Sequence, residues 1–409
     1  MGEFTVGTLL KNGEIIMKVA GIVAEYNPFH NGHKFQIDAL KNQGFTHIAT
    51  AMSGNFVQRG ECAIVDKWAR AKQSLLNGVD LVLEIPTAFC LSPAEKYCFS
   101  AVEILNATGV VDNLCFGSES ANLQAINTLC EFLSDKNTDE EIGKYIKISR
   151  NFIEARERVV AKNLGEEFLK ILRNPNDILA IEYLKSLKYL NSEIAPLPIK
   201  REGVGHNDND VNGKFASASA IREMIKNGED FSSVLPEKSL EILKERQENL
   251  LFPAILENNE RILLAKLRDL SETDFERLQD VSEGLHNRLY EAVRNADSLE
   301  SLHLFAKTRR YTLARIRRLV LNAALGIYSY EKPPYIRVLG FSEKGKELLS
   351  IMKDKCSLPI VTSYADAKRT SQEAKLYFEK EAKYTDFYTM LTPKIAPAGL
   401  EFLESIVKI

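Results

Sequence analysis

Two histidines three residues apart, His30 and His33, flank Asn31-Gly32 in the stretch GIVAEYNPFHNGHKFQ. This stretch overlaps a continuous apolar run, MKVAGIVA, at 17–24. Such a run reads as a parallel strand covered on both faces, and the residues from about His33 to Asn42 read as the helix behind it. A helix start offers free N–H groups and a positive dipole end, which attract phosphate. Two imidazoles at this spacing can face one anion, and Gly32 permits close backbone approach. The turn is suited to holding a triphosphate and stabilising charge that grows on the α-phosphate during displacement. The competing reading is a chance turn with one polar side chain capping the helix; placement directly behind a buried strand favours the site. A second helix start, Ser217-Ala218-Ser219-Ala220-Ile221-Arg222, brings two hydroxyls and an arginine into one turn. Taken singly the serines would be ordinary caps. Paired with the histidine turn they make a second phosphate cradle.

The elements that must position these groups alternate strand and helix. After the first strand and helix come a strand at 47–54 and the loop NFVQRGECAIVD. A helix, KWARAKQSLLNG, follows and closes on Gly78 as a C-cap. Further strands are expected at 80–86, 112–117 and 195–203, with mostly helical sequence between 121 and 190. This order predicts an α/β doubly wound parallel sheet, in which ligands bind at the carboxyl ends of the strands. From about Phe231 to Tyr330 the pattern is purely helical, and Pro333-Pro334 breaks it. Two short strand candidates, 335–341 and 358–363, lie in the remainder. The expected organisation is an extension or tag at 1–16 ahead of Met17, then a nucleotide-binding domain over 17–230. A helical domain over 231–332 and a small C-terminal α/β segment over 333–409 complete it.

Composition narrows the class of protein. The chain has 409 residues, 45 % of them hydrophobic and 27 % charged, which excludes a disordered or collagen-like chain. No apolar run approaches the ~20 residues of a membrane span, so no membrane role is expected. The six cysteines form no C-x-x-C pair, which argues against a zinc site or a disulfide framework and for reduced thiols in cytoplasm. Asp208-Asn209-Asp210-Val211-Asn212-Gly213 matches half of a calcium loop, but its twelfth position is Ser219 rather than Glu, so it is read as a polar loop. With a net charge of −3, any affinity for nucleic acid must come from a local basic patch.

One such patch exists. No acidic residue occurs from Ser301 to Tyr330, a stretch that holds Arg309, Arg310, Arg315, Arg317 and Arg318 together with Lys307 and Tyr311. As a helix, Leu313, Ile316, Val320, Ala323 and Ile327 form its apolar stripe, and the arginines fan over the other faces. These suit tRNA phosphates, with Tyr311 free to stack or to pack; the alternative is a solvated face paired with the acids of 254–300. The loop behind the second strand adds Arg59, Lys67 and Arg70 near the strand ends, with the lone tryptophan, Trp68, beside them either as a guide or as core.

H-x-G-H together with S-x-S-x-x-R resembles the nucleotidyltransferase superfamily that includes class I aminoacyl-tRNA synthetases. More narrowly, GIVAEYNPFHNGH, SGNFVQRGE, VDKWARA, FGSES, NPNDILAIEYLKSL, SASAIR and EGLHNRL resemble the bacterial tRNA(Met) cytidine acetate ligase family, from Met17 to at least Leu321. The resemblance implies a Rossmann-like fold and an enzyme that activates acetate with ATP as acetyl-AMP. It also implies transfer of the acetyl group to N4 of the wobble cytidine of elongator tRNA(Met). It implies that Val23, Ala24, Glu25, Tyr26, Asn27, Pro28, Phe29, His30, Asn31, Gly32, His33, Lys34, Phe35 and Gln36 form the ATP-binding turn. Gly117, Asn176 and Arg201 are implied as further nucleotide contacts; their alternatives are a strand-end turn, a helix cap and a surface arginine. His30 and His33 are then the catalytic pair, with Ser217, Ser219 and Arg222 on the outgoing phosphates. Mg²⁺ is the expected counter-ion of the nucleotide, although no carboxylate cluster marks ligands for it, and no protein partner is inferred. Two other readings share the histidine turn: a small-molecule nucleotidyltransferase, which has no use for a basic helical domain, and a non-catalytic RNA-binding protein on a relict nucleotide fold.

Overall fold

The computed structural model describes residues 10–11, 14–15, 17–149, 151–201, 214–282 and 284–409. The extension read at 1–16 and the calcium-like loop at 208–213 lie largely or wholly outside the described residues; of the former, Leu10–Lys11 and Glu14–Ile15 pair antiparallel.

The nucleotide-binding half runs β1 (Val19–Ala24), α1 (Asn31–Asn42), β2 (His47–Ser53), α2 (Lys67–Leu76), β3 (Leu81–Ile85), α3 (Ala94–Ala107) and β4 (Asn113–Ser118). Helix α4 (Pro175–Tyr189), strand β5 (Ala195–Lys200) and helix α5 (Ala218–Asn227) follow. Strands β3, β2, β1, β4 and β5 lie side by side in that order, all parallel. The order reverses at β1, and the crevice between β1 and β4 is where a doubly wound sheet binds its ligand. The reason for the parallel pairing is visible in burial: every residue of β2 and β3 is buried. One face is closed by Ile37 and Leu40 of α1 and Leu75 of α2, the other by Leu105 of α3 and Ala180 and Leu184 of α4.

The helical region contains α6 (Leu313–Leu325), a helix N-capped by Thr312 and closed by Gly326 in the left-handed region at φ 71°. Ile316, Val320, Ala323 and Ile327 of its expected stripe are buried in the helical core. That core also takes in Phe56 and Cys62 from the two halves of a hairpin, Phe56–Val57 paired with Glu61–Cys62. The hairpin, part of the loop behind β2, is therefore the joint between the two halves of the molecule. At Gly60, φ is +75° and a Cβ would lie 2.5 Å from the Arg318 nitrogen, so only glycine lets the hairpin seat on α6.

The expectation for 333–409 needs correction. Strand β6 (Ile336–Phe341) runs antiparallel to β3, and β7 (Ile360–Val361) and β8 (Val407–Lys408) both pair with β6. The last residues thus extend the nucleotide-binding sheet to eight strands rather than forming a segment of their own. Helix α7 (Gln372–Tyr388) packs Phe387 and Tyr388 into the helical core, so the chain end ties both halves together.

Candidate active site

The first turn of α1 is built by the two histidines on each other. His30 is the N-cap: its Nδ1 accepts the Gly32 N–H at 3.0 Å, and His33 Nδ1 accepts the His30 N–H at 3.2 Å. The rings stack with centroids 3.8 Å apart. With Nδ1 occupied as an acceptor in both, a neutral ring carries its proton on Nε2. Burial holds them neutral. It lowers His30 to about 3, helped by the nearby Arg201 and Arg222, and it lowers His33 well below the usual histidine value, helped by His30 and Arg201. The capping reading holds, and the bonds that cap the helix also fix the tautomer that each ring presents to the cavity. Gly32 serves this arrangement too: a Cβ there would stand 2.9 Å from Cε1 of His30, so the close approach it permits is that of the ring.

Both imidazoles line a cavity of about 680 Å³ at the carboxyl ends of β1 and β4, within the range of small-ligand sites. Of the turn at 23–36, Val23, Ala24, Glu25, Tyr26, Asn27, His30, His33 and Gln36 reach it. The other six residues of that stretch do not line it. Phe29 is fully buried beneath the rings. Asn31 donates to the carbonyls of Lys214 and Ser233, Lys34 pairs with Asp38, and Phe35 packs on Phe215. Pro28 and Gly32 shape the backbone, with the Asn27-Pro28 peptide cis.

The second cradle faces the first. Ser217 caps α5 by accepting the Ala220 N–H at 3.1 Å and sits 3.0 Å from the Ser219 hydroxyl. Arg222 donates to the Asn27 carbonyl at 3.0 Å, which binds α5 to the histidine turn. All three line the cavity, as do Gly117, Asn176 and Arg201. Arg201 lies over Gly117, where a Cβ would be 3.3 Å from its Cγ, and donates to the Asn176 side chain at 3.4 Å. Glu119, within FGSES but not among the expected site residues, also lines the cavity, and its carboxylate sits at the start of α4. It accepts from Asn176 Nδ2 at 2.5 Å and the Asp177 N–H at 3.2 Å. Gln58, Tyr97, Phe116 and Tyr183 are further lining residues; they come from separate elements and carry no pattern along the chain. Among the described residues no cluster of three metal-binding side chains occurs. The cavity is lined by imidazoles and guanidinium groups, and its two carboxylates, Glu25 and Glu119, accept from the Gln58 N–H and from Asn176, so a cation accompanying ATP would sit chiefly on phosphate oxygens.

The basic residues separate into two kinds. Arg59 is exposed at the cavity mouth, and Arg309 and Arg310 are exposed ahead of α6. Lys67 and Arg70 are 1 % and 0 % exposed and cannot touch RNA. Lys67 pairs with Glu84 at 2.6 Å and Glu401 at 2.7 Å. Arg70 donates to the carbonyls of Glu25, Ser53, Gly54 and Val65, and so fixes the strand ends that form the cavity wall. Arg315 and Arg318 are held by Asp280, as the pairing alternative requires, and Arg318 is buried. Arg317 keeps partial exposure but bonds Glu61 at 2.5 Å, and Glu61 also meets Arg222 at 3.4 Å. Tyr311 is buried against Arg315 and packs rather than stacks. Trp68 is core.

An α/β sheet with an H-x-G-H helix start at its switch point defines a nucleotidyl-transfer site. In agreement, the family model described as HIGH Nucleotidyl Transferase matches residues 17–401. Proteins named tRNA(Met) cytidine acetate ligase match nearly throughout. The one from Thermoanaerobacter sp. (strain X514) is 39 % identical over 96 % of this chain and 100 % of its own length. The one from Caldanaerobacter subterraneus subsp. tengcongensis is 38 % identical with the same coverage. The crystal structure of Thermotoga maritima TmcAL bound with alpha-thio ATP superposes with a TM-score of 0.89 at 34 % identity, covering 96 % of this chain and 99 % of that one. The chain belongs to the tRNA(Met) cytidine acetate ligase family.

Proposed function

We propose that this protein activates acetate with ATP and transfers the acetyl group to N4 of the wobble cytidine of elongator tRNA(Met), forming N4-acetylcytidine. One observation carries the reading: two neutral, stacked imidazoles and two arginines, Arg201 and Arg222, converge on one cavity in a chain of this family. A carboxylate cannot acylate an amine directly, because its leaving group would be oxide. An acetate oxygen therefore attacks the α-phosphorus, the α–β bridging P–O bond breaks, and pyrophosphate leaves. The cytosine amine then attacks the acetyl carbonyl of acetyl-AMP, AMP leaves, and the amine gives up one proton. No side-chain nucleophile is needed; the chain's part is positioning and charge stabilisation.

His30 and His33 meet the reacting phosphate through their Nε2–H donors, and Ser217, Ser219 and Arg222 take the outgoing phosphates. Gly117, Asn176 and Arg201 hold the nucleoside end. Mg²⁺ would accompany ATP as the counter-ion of its phosphates. Arg59, Arg309, Arg310 and Arg317 form the RNA face, and a tRNA substrate places the work in the cytoplasm. The test is incubation with ATP, labelled acetate and unmodified elongator tRNA(Met). Label entering the tRNA is expected. Consumption of ATP only with a phosphorylated small molecule would instead assign a small-molecule nucleotidyltransferase.

A further inference from the structure

A second cavity, of about 360 Å³, opens where the carboxyl end of α6 meets α7. Tyr328, Tyr377 and Tyr384 line it, with Arg277 and Lys383 among the cations and Glu381 among the acids. The Arg277 guanidinium lies 4.4 Å over the ring of Tyr328 and 3.6 Å from the Asp274 carboxylate, and its side chain is 63 % exposed. Lys383 is exposed, and Tyr384 is half-buried. Glu381 is buried, with its carboxylate accepting the Thr87 N–H and hydroxyl. Rings that can stack, cations beside them and one polar group at depth are what a single unpaired base with its phosphate requires.

The position along α6 supports the same ligand. The amino-terminal part of that helix, at Arg317 and Arg318, seats the hairpin whose tip lines the nucleotide cavity. From there to the end of α6 at Leu325 is about 11 Å at the helical rise, with Tyr328 three residues further on, a span on the order of a few stacked nucleotides. We propose that this second cavity is an RNA subsite that takes one unpaired nucleobase of the tRNA, stacked on Tyr384 and Tyr328, with Lys383 and Arg277 on its phosphate. Burial and the neighbouring Glu84 raise Glu381 to about 8.

The inference rests on the RNA half of the proposed function, and the test separates the two. Full-length Tyr384→Ala, Tyr384→Phe and Lys383→Ala are compared with the unaltered protein in affinity for unmodified elongator tRNA(Met) and in acetate-dependent ATP–pyrophosphate exchange. Tyr384→Ala is expected to weaken tRNA binding about 5- to 150-fold, and Tyr384→Phe to retain it. Lys383→Ala should lower the salt slope of binding by about 0.7 to 0.9, with exchange unchanged in all three. Affinities within about twofold of the unaltered protein overturn the subsite, as does loss of exchange together with binding in Tyr384→Ala. Absence of exchange in the unaltered protein overturns the proposed chemistry, and the tRNA comparison still decides the subsite.

Discussion

Replacing His33 by alanine isolates the contribution of one imidazole. The ring accepts the His30 N–H at 3.2 Å, stacks on His30 at 3.8 Å, and meets Tyr26 edge-on at 4.8 Å and Phe29 at 5.5 Å. Losing a single capping bond costs about 1 kcal/mol, a small fraction of the stability of a chain this size. The catalytic loss is larger. A pre-organised donor aimed at developing charge contributes about 100- to 1000-fold in rate, roughly 2.7–4 kcal/mol. Acetate-dependent ATP–pyrophosphate exchange should therefore fall by at least about 100-fold in His33→Ala. Thermal unfolding should move by only a few degrees, and tRNA affinity should hold. The reasoning is refuted if exchange persists within about threefold of the unaltered rate. It is equally refuted if tRNA affinity collapses in step with exchange while the fold is intact, because the imidazoles would then be serving the RNA face.

Other consequences can be checked separately. Lys67→Ala leaves Glu84 and Glu401 without the cation that lies 2.6 and 2.7 Å away, which should cost about 3–5 kcal/mol. A clear drop in melting temperature is expected, and an undiminished melting temperature with weakened tRNA binding would restore the surface reading of this lysine. With His30 at about 3 in the fold and near 6.5 unfolded, the unfolded chain takes up a proton first as pH falls. Stability from this group is thus complete above about pH 6.5 and is lost on acidification, by about 2 kcal/mol by pH 5; urea titrations at pH 8 and pH 5 measure it. Arg309→Ala with Arg310→Ala should weaken tRNA binding and reduce its salt dependence while acetyl-AMP formation continues. Unchanged binding at low salt would remove both arginines from the RNA face.

What could be read along the chain is local. A run such as MKVAGIVA, or the wholly apolar 81–83, has no partner but a covered sheet, so a doubly wound parallel sheet with ligands at its carboxyl ends was legible, though not the order of its strands. So was the histidine turn, because both its chemistry and its capping bonds lie within four residues. The stripe of α6 was legible for the same reason. Tertiary structure alone decided which charges are available. Lys67, Arg70 and Arg318 read as surface cations, since nothing nearby in the chain announces Glu401, the Gly54 carbonyl or Asp280 as their partners. Desolvating a cation is tolerable only where such partners converge, and they converge from residues tens to hundreds of positions away. The same holds for Tyr97 and Tyr183 in the cavity wall and for Ile336–Phe341, whose apolar character fits a small separate sheet as well as the edge it joins. Periodicity specifies what an element must bury; which element supplies the burial is a property of the folded chain.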